Sequence, residues 1–317
     1  MYHGIINVYK EPGYTSHDVV ARLRGILRQK KIGHTGTLDP AAEGVLPVCL
    51  GAGTRLCDML ADRTKTYEAV LLLGVVTDTQ DTTGTVLESH EREAAGLTED
   101  QVRRAVLGFK GDYDQIPPMY SALKVDGKKL YELARAGKEV ERKARPVQIL
   151  EIDILNMELP RVRMRVTCSK GTYIRTLCHD IGQVLGCGGA MDHLLRTRVD
   201  RFSAEDSLKL DEIEKLLDEN DLDSRIISVE KALEAYPALY VREEGDKALK
   251  NGNPCFRGQI DLQREHAPKR WADGQMFRMY SSAGRFSGVY EYQDEKHWWK
   301  PWKMFPEETQ SGSSKLP

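Results

Sequence analysis

The stretch from Gly33 to Gly51, GHTGTLDPAAEGVLPVCLG, restricts the fold more than any other part of the chain, because it rules out a long helix and leaves Asp39 with no second acid beside it. Asp39 precedes Pro40, a pair that often opens a helix with the acid as cap and the proline in the first turn. Gly44 and Pro47 would end such a helix within about two turns, and Gly33 and Gly36 permit backbone angles that other residues avoid. A tight, well-defined loop presenting a single carboxylate is therefore expected. A structural cap and a reactive acid fit these residues equally well.

A lone carboxylate narrows the chemistry. Glycoside hydrolysis normally takes two, and only one candidate sits here. Ser121 to Lys124 match S-x-x-K, but neither S-D-N nor K-T-G occurs, which removes the penicillin-recognising enzymes. His17-Asp18 and His179-Asp180 read as helix-surface pairs rather than as a metal phosphohydrolase. The zinc deaminase signature is missing, and so are the glycine-rich phosphate loops. Six cysteines without a C-x-x-C pair read as small buried hydrophobes, not as zinc ligands or disulfides. One reaction class needs an acid without a second: a base is detached from its sugar, turned, and rejoined through another atom in a pocket that excludes water. An ionised Asp then acts as nucleophile or proton acceptor, with a neighbouring Arg keeping it ionised.

A net charge of -2 taken alone argues against a nucleic-acid binder. Its distribution argues the other way. Arg22, Arg24, Arg28, Lys30 and Lys31 crowd a stretch without acids, and Lys124 to Arg145 hold eight basic residues against four acids. Arg161 to Arg175 hold five basic residues and no acid, the kind of cluster that phosphate contacts require. No apolar run reaches the roughly 18 residues of a membrane span, and the N-terminus lacks a signal-peptide pattern, so a cytoplasmic protein is expected.

GIINVYK (4–10) predicts a strand, and EPGYTS after it a turn ending in a cap at Ser16. Val19, Val20, Leu23, Ile26 and Leu27 recur at helical spacing. Residues 66–76 read as a buried strand with 84–88 as partner, and Thr98 with Gln101 as a capping box opening a helix that runs to about Phe109. Residues 110–146 are rich in Pro, Gly, Tyr and Lys, helical only at 128–136, and fit an insertion lying over a ligand. PVQILEIDIL, RVRMRVTCS and LLRTRVDRFS predict strands, residues 172–185 and SLKLDEIEKLLDEN helices, and 219–224 a linker. Beyond Tyr236, short strands and Gly turns predict a small β-barrel with Trp298, Trp299 and Trp302 in its core, followed by a disordered tail.

GHTGTLDPAAEGVLPVCLG resembles the signature of the TruB family of tRNA pseudouridine synthases. The likeness continues, in the family's order, through KTYEAVLLLGVVTDTQDTTG, QIPPMYSALKVDGKKLYELARAG, CSKGTYIRTLCHDIGQVLGCG and HLLRT, and weakens beyond Tyr236 to that of the family's RNA-binding PUA barrel. The resemblance implies an α+β catalytic fold over 1–225, with a mixed, largely antiparallel sheet flanked by helices. It also implies an RNA-clasping insertion at 110–146, a PUA-like domain at 236–306 and a disordered tail at 307–317. It makes Asp39 the catalytic carboxylate, Tyr67 the ring against the target base with a part in proton transfer, and Arg175 the partner of Asp39. Leu194 becomes an apolar wall under the uracil, Asp81 a hydrogen-bonding group near substrate, His34 a residue holding splayed bases, and Lys10 a support for the loop. Lys124, Lys128, Lys129, Arg142 and Lys143 become contacts to RNA. The implied reaction is uridine to pseudouridine in tRNA, at position 55 of the T arm, by a monomer with no metal, organic cofactor, membrane or obligatory protein partner. Two other readings stay open: a guide-RNA-dependent synthase subunit, and an RNA-binding or tRNA-folding protein whose catalysis is secondary.

Overall fold

The computed structural model describes residues 1–125, 127–264, 268 and 270–305, so the tail expected to be disordered lies outside the described residues. Its main body is a ten-stranded sheet with helices packed on it. In spatial order the strands are Ile226–Ile227, Gly4–Lys10, Glu43–Leu50, Gly189–Val199, Lys65–Leu73, Arg161–Cys168, Arg145–Glu158 and Gly111–Gln115. Short strands Ile32–His34 and Phe202–Ser203 pair onto Glu43–Leu50 and Gly189–Val199. Every pairing in this sheet is antiparallel except one central seam, where Leu195 lies opposite Glu43 and Arg196 opposite Gly44. The sheet is thus mixed and largely antiparallel.

Side-chain alternation decides which residues reach the core. Along Lys65–Leu73 burial switches at every step, so Lys65, Tyr67, Ala69, Leu71 and Leu73 share the covered face. Helices Glu99–Leu107 and Ile174–Val184 close that face with Val102, Val106, Leu177 and Ile181. A second core lies under helices Ser16–Ile26 and Leu210–Asp218, against Ile6, Val8, Leu46 and Val48.

Several local expectations shift. The helix at Ser16 is capped by Thr15, whose hydroxyl accepts from the Asp18 N–H at 3.0 Å while Asp18 returns the bond to the Thr15 N–H at 2.8 Å. The expected pairing of 66–76 with 84–88 holds only at its end: Val86–Ser89 pairs with Val75–Thr77, after Gly74 has turned the chain, while Lys65–Leu73 lies between two other strands. Gly111–Gln115 is an edge strand of the main sheet, so the excursion that leaves the sheet spans 116–144. Nor is 219–224 a free linker: Leu222 is buried, and Ile226–Ile227 adds to the sheet beside Gly4–Lys10. No helix among the described residues is long and apolar enough to cross a membrane.

The C-terminal residues form a curled five-stranded sheet of open order, from Ala238–Tyr240 through Met276–Tyr280, Phe286–Gln293 and Trp298–Met304 to Cys255–Phe256. The expected tryptophan core divides: Trp299 is fully buried against Trp271, Phe277 and Tyr292, whereas Trp302 is 42 % exposed. One apolar cluster is common to both sheets, joining Ile5, Val45, Leu56 and Phe202 to Tyr280, Phe286, Val289 and Phe305. The Lys303 ammonium donates to the Arg55 carbonyl at 2.7 Å, and the Tyr280 hydroxyl to Glu230 at 2.8 Å, across the same junction.

Phe286, stacked on Phe305 at 5.7 Å, tests this shared core. Phe286→Ala should cost about 3–5 kcal/mol, a large share of a typical total of about 5–15 kcal/mol. Urea titration of both proteins should show the midpoint fall; an unchanged midpoint would mean the two sheets are independent.

Candidate active site

Asp39 does not begin a helix. It opens a four-residue turn closed by the Ala42 N–H on its own carbonyl at 3.1 Å, immediately before strand Glu43–Leu50. Ser16 anchors the approach, accepting from the Leu38 N–H at 2.9 Å, and the Gly13 N–H donates to the Pro40 carbonyl at 2.9 Å. Lys10 supports the turn from within: fully buried, its ammonium donates to the carbonyls of Ala42 at 2.5 Å, Pro40 at 3.1 Å and Glu11 at 3.2 Å. Desolvation lowers its pKa to about 8, against the nearby Asp39 carboxylate.

Helix Ile174–Val184 brings Arg175 to this carboxylate. One Nη lies 3.5 Å from Asp39 Oδ1 and also donates to the Tyr120 carbonyl; the other lies 3.8 Å from Asp81 Oδ2. The Asp39 side chain keeps 34 % of its surface, against 5 % for Arg175. Desolvation raises the Asp39 pKa and the Asp81 charge adds to this, while Arg175 and then Lys10 oppose it. Asp81 combines the two roles foreseen for it: Oδ1 caps a turn by accepting from Thr79, the Thr83 N–H and the Thr83 hydroxyl, leaving Oδ2 toward Arg175.

Tyr67 and Leu194 complete the cleft. Both are buried on the covered face of the sheet, in one cluster with Leu38 and Ala42. Desolvation pushes the Tyr67 phenol up to about 12, so it is neutral and protonated at physiological pH, a donor rather than a base. His34 ends the short strand Ile32–His34, its Nδ1 accepting from the Gly36 N–H at 3.3 Å. Desolvation, with help from Arg196, lowers the His34 pKa and keeps its ring neutral.

The structure thus brings Asp39, Arg175, Asp81, Tyr67, Leu194, Lys10 and His34 around one loop. The basic residues divide. Lys124, Lys128 and Lys129 meet on a hairpin in the excursion, with Lys124 and Lys128 exposed and the Lys129 ammonium 3.3 Å from the Tyr131 hydroxyl. Lys143 is exposed, but Arg142 donates to the Pro117 carbonyl at 3.1 Å and so braces the excursion. The cluster at 161–175 is largely paired with acids: Arg163 and Arg165 both bind Glu68, at 2.6 and 2.8 Å, and Arg161 binds Asp192 at 3.0 Å.

Arg196 is the residue that sequence reasoning passed over. Its side chain is fully buried, and its donors reach the carbonyls of Val45 at 2.7 Å, Gly36 at 3.3 Å and Thr37 at 3.4 Å, on both sides of Asp39. It also contacts the Tyr67 phenol, its cross-strand neighbour. A signal was present: Arg196 lies two residues after Leu194, and period-two alternation puts both on one face. Gln115 was missed as well; its side-chain amide exchanges two bonds with the Tyr173 backbone, at 2.9 and 2.8 Å, fixing the helix that carries Arg175 to the edge strand.

An acid facing a buried arginine over a buried tyrosine and leucine, at the seam of a mixed sheet, fits the class of nucleobase-isomerising enzymes. The chain belongs to the TruB family of pseudouridylate synthases: residues 24–174 match the model for the TruB family pseudouridylate synthase N-terminal domain, and residues 175–234 that for the tRNA pseudouridylate synthase B C-terminal domain. It is 52 % identical over 311 residues to tRNA pseudouridine synthase B of Lachnoclostridium phytofermentans, covering 96 % of this chain and 99 % of the relative. To the Clostridium kluyveri protein of the same name it is 43 % identical over 286 residues, covering 90 % and 94 %. Among solved structures it is similar to a chain of a Cbf5-Nop10-Gar1 complex, with TM-score 0.72 and 27 % identity over 96 % of this chain and 86 % of that one. A chain of an H/ACA RNP bound to a substrate RNA containing 2'-deoxyuridine gives 0.71 and 25 %, over 98 % and 87 %.

The raised Asp39 pKa has a sign that stability measurements can check. The folded state holds this proton more tightly than the unfolded chain, so the wild type loses stability as pH rises through and above the ordinary value of 3.8. Asp39→Asn should therefore resist urea at least as well as wild type at pH 7, with the difference shrinking toward pH 3. A variant markedly weaker at pH 7 would make Asp39 a structural cap.

Proposed function

We propose that the protein isomerises uridine to pseudouridine in tRNA, at U55 of the T arm, with Asp39 as the catalytic acid. The observation that carries this is the pairing of a partly desolvated Asp39 with Arg175 above Tyr67 and Leu194, in a chain of the TruB family. The tRNA substrate is supported by relatives of 43–52 % identity that bear the name tRNA pseudouridine synthase B.

The target base must first leave its stack, at a cost of a few kcal/mol. Asp39 then adds to the nucleotide or removes a sugar proton; both routes break the bond between C1′ and N1 and leave the electron pair on the base. Arg175 keeps Asp39 ionised and aimed, and Leu194 and the Tyr67 ring hold the freed uracil while it turns. C5 then bonds to C1′ as the bond from Asp39 to the nucleotide breaks or, in the other route, as the carboxyl returns its proton to the sugar, and the proton lost from C5 ends on N1. Atoms and electrons balance without a metal or organic cofactor. The Tyr67 phenol, protonated at working pH, serves as a proton donor and hydrogen-bonding group. His34 lies beside the loop to hold splayed bases, and the excursion at 116–144 clasps the stem-loop through Lys124, Lys128, Lys129 and Lys143, with Arg142 as a brace. The curled C-terminal sheet is a PUA-like second RNA contact. The protein acts as a cytoplasmic monomer without an obligatory protein partner.

Incubating the purified protein alone with an unmodified tRNA transcript should yield pseudouridine at position 55, whereas a guide-dependent subunit would yield none. Asp39→Asn should abolish formation and leave tRNA affinity within about threefold, since the acid acts on the reaction and not on binding. Near-normal turnover by that variant would refute the assignment. Charge reversal of Lys124, Lys128, Lys129 and Lys143 together should weaken tRNA binding and reduce its salt dependence by roughly one unit for each phosphate no longer neutralised. An unaltered slope would take the excursion out of the interface.

A further inference from the structure

Besides Arg175, which faces Asp39 and Asp81, three cations lie buried around the Asp39 loop, and among the described residues backbone carbonyls, not carboxylates, receive their hydrogen bonds. Lys10 is held by Glu11, Pro40 and Ala42, Lys65 by Ala61 and Arg63 at 2.8 and 2.7 Å, and Arg196 by Gly36, Thr37 and Val45. Removing a cation from water is costly. Lys10 has the Asp39 charge nearby and Lys65 that of Asp62, whereas Arg196 has the protonated Tyr67 phenol beside its carbonyl acceptors and so calls for a reason beyond stability. Carbonyl oxygens hold such a charge in place while leaving it uncancelled.

Arg196 is the member of this set tied to both halves of the site. Its fork spans the loop, with Gly36 and Thr37 before Asp39 and Val45 after it. Its main chain lies against Gly44, where a Cβ would fall 2.2 Å from the Arg196 carbonyl oxygen. Across the next strand its register partner is Tyr67, whose phenol its guanidinium meets. Gly44, Arg196 and Tyr67 thus form one row across three strands.

We propose that Arg196 is a positioning residue for the isomerisation: its guanidinium fixes the Asp39 loop against the Tyr67 phenol and sets a permanent positive charge behind the ring that faces the detached base. The proposal rests on the isomerase reading above. Once the bond between C1′ and N1 has broken with its electron pair left on the uracil, the base is anionic until C5 rejoins the sugar. A charge already in place in a dry cleft stabilises that anion without reorganising. Arg196 touches no reacting atom and acts through Asp39 and Tyr67.

The test compares wild type with Arg196→Lys and Arg196→Gln in single-turnover pseudouridine formation on an unmodified tRNA transcript. Rates are expressed per binding-competent molecule, counted by stoichiometric tRNA titration, so partial unfolding lowers the yield but not the rate. Arg196→Gln should slow the reaction about 100-fold. Arg196→Lys, which keeps the charge and loses the fork, should slow it about tenfold. Both should bind tRNA within about threefold of wild type. A merely structural role predicts fewer competent molecules at an unchanged rate; that outcome, or no competent molecules from either variant, would overturn the proposal. An inactive wild type would instead refute the isomerase reading, and this assignment with it.

Discussion

The parallel seam between Glu43–Leu50 and Gly189–Val199 holds the site together. The rest of the main sheet can be assembled from antiparallel neighbours, but a parallel contact requires a crossover, and here most of the catalytic body lies between its two strands. The seam sets the loop that enters Glu43–Leu50 directly above the strand bearing Leu194 and Arg196. Gly44 must lack a side chain for the strands to approach, and its φ of 107° suits only glycine. Asp39 therefore owes its position to a contact five residues away from it.

Electrostatics then divides the cleft into two unlike parts. On the Arg175 side two acids face one guanidinium, with the Lys10 ammonium as a further cation near Asp39. Toward Tyr67 the balance is reversed, with buried cations held by carbonyls and a phenol that stays protonated. A reaction that begins with attack or deprotonation by a carboxylate and passes through an anionic base needs this polarity in this order.

The sequence is most readable where one rule acts alone. Strict alternation in 65–73 marks a strand and its buried face, and Thr98 with Gln101 marks a helix start, because both signals are local. Neighbours are not legible: alternation fixes the face of a strand but not the strand beside it, so the pairing of 84–88 with 66–76 holds only at the end of that stretch, beyond Gly74, and the parallel seam goes unseen. Charge counting overstates the free charge at Arg163 and Arg165 because it ignores Glu68, which lies far off in sequence and directly opposite Arg165 in the sheet. Leu222 is misjudged for the same reason, as one apolar residue in an acidic segment carries no periodicity. Within the site, the roles given to Asp39, Arg175 and Tyr67 come from family likeness, since three residues spread over 137 positions meet only after folding. Arg196 stands inside the HLLRT motif yet escapes notice, because an arginine is assumed to be solvated.

Tyr120 occupies the same Arg175 nitrogen that faces Asp39. An Nη carries two hydrogens, so this nitrogen serves both acceptors at once, while the other Nη faces Asp81. The foot of the 116–144 excursion and the loop that bears Asp39 are thereby fastened to one guanidinium, and the segment that leaves the sheet shares its anchor with the floor of the cleft.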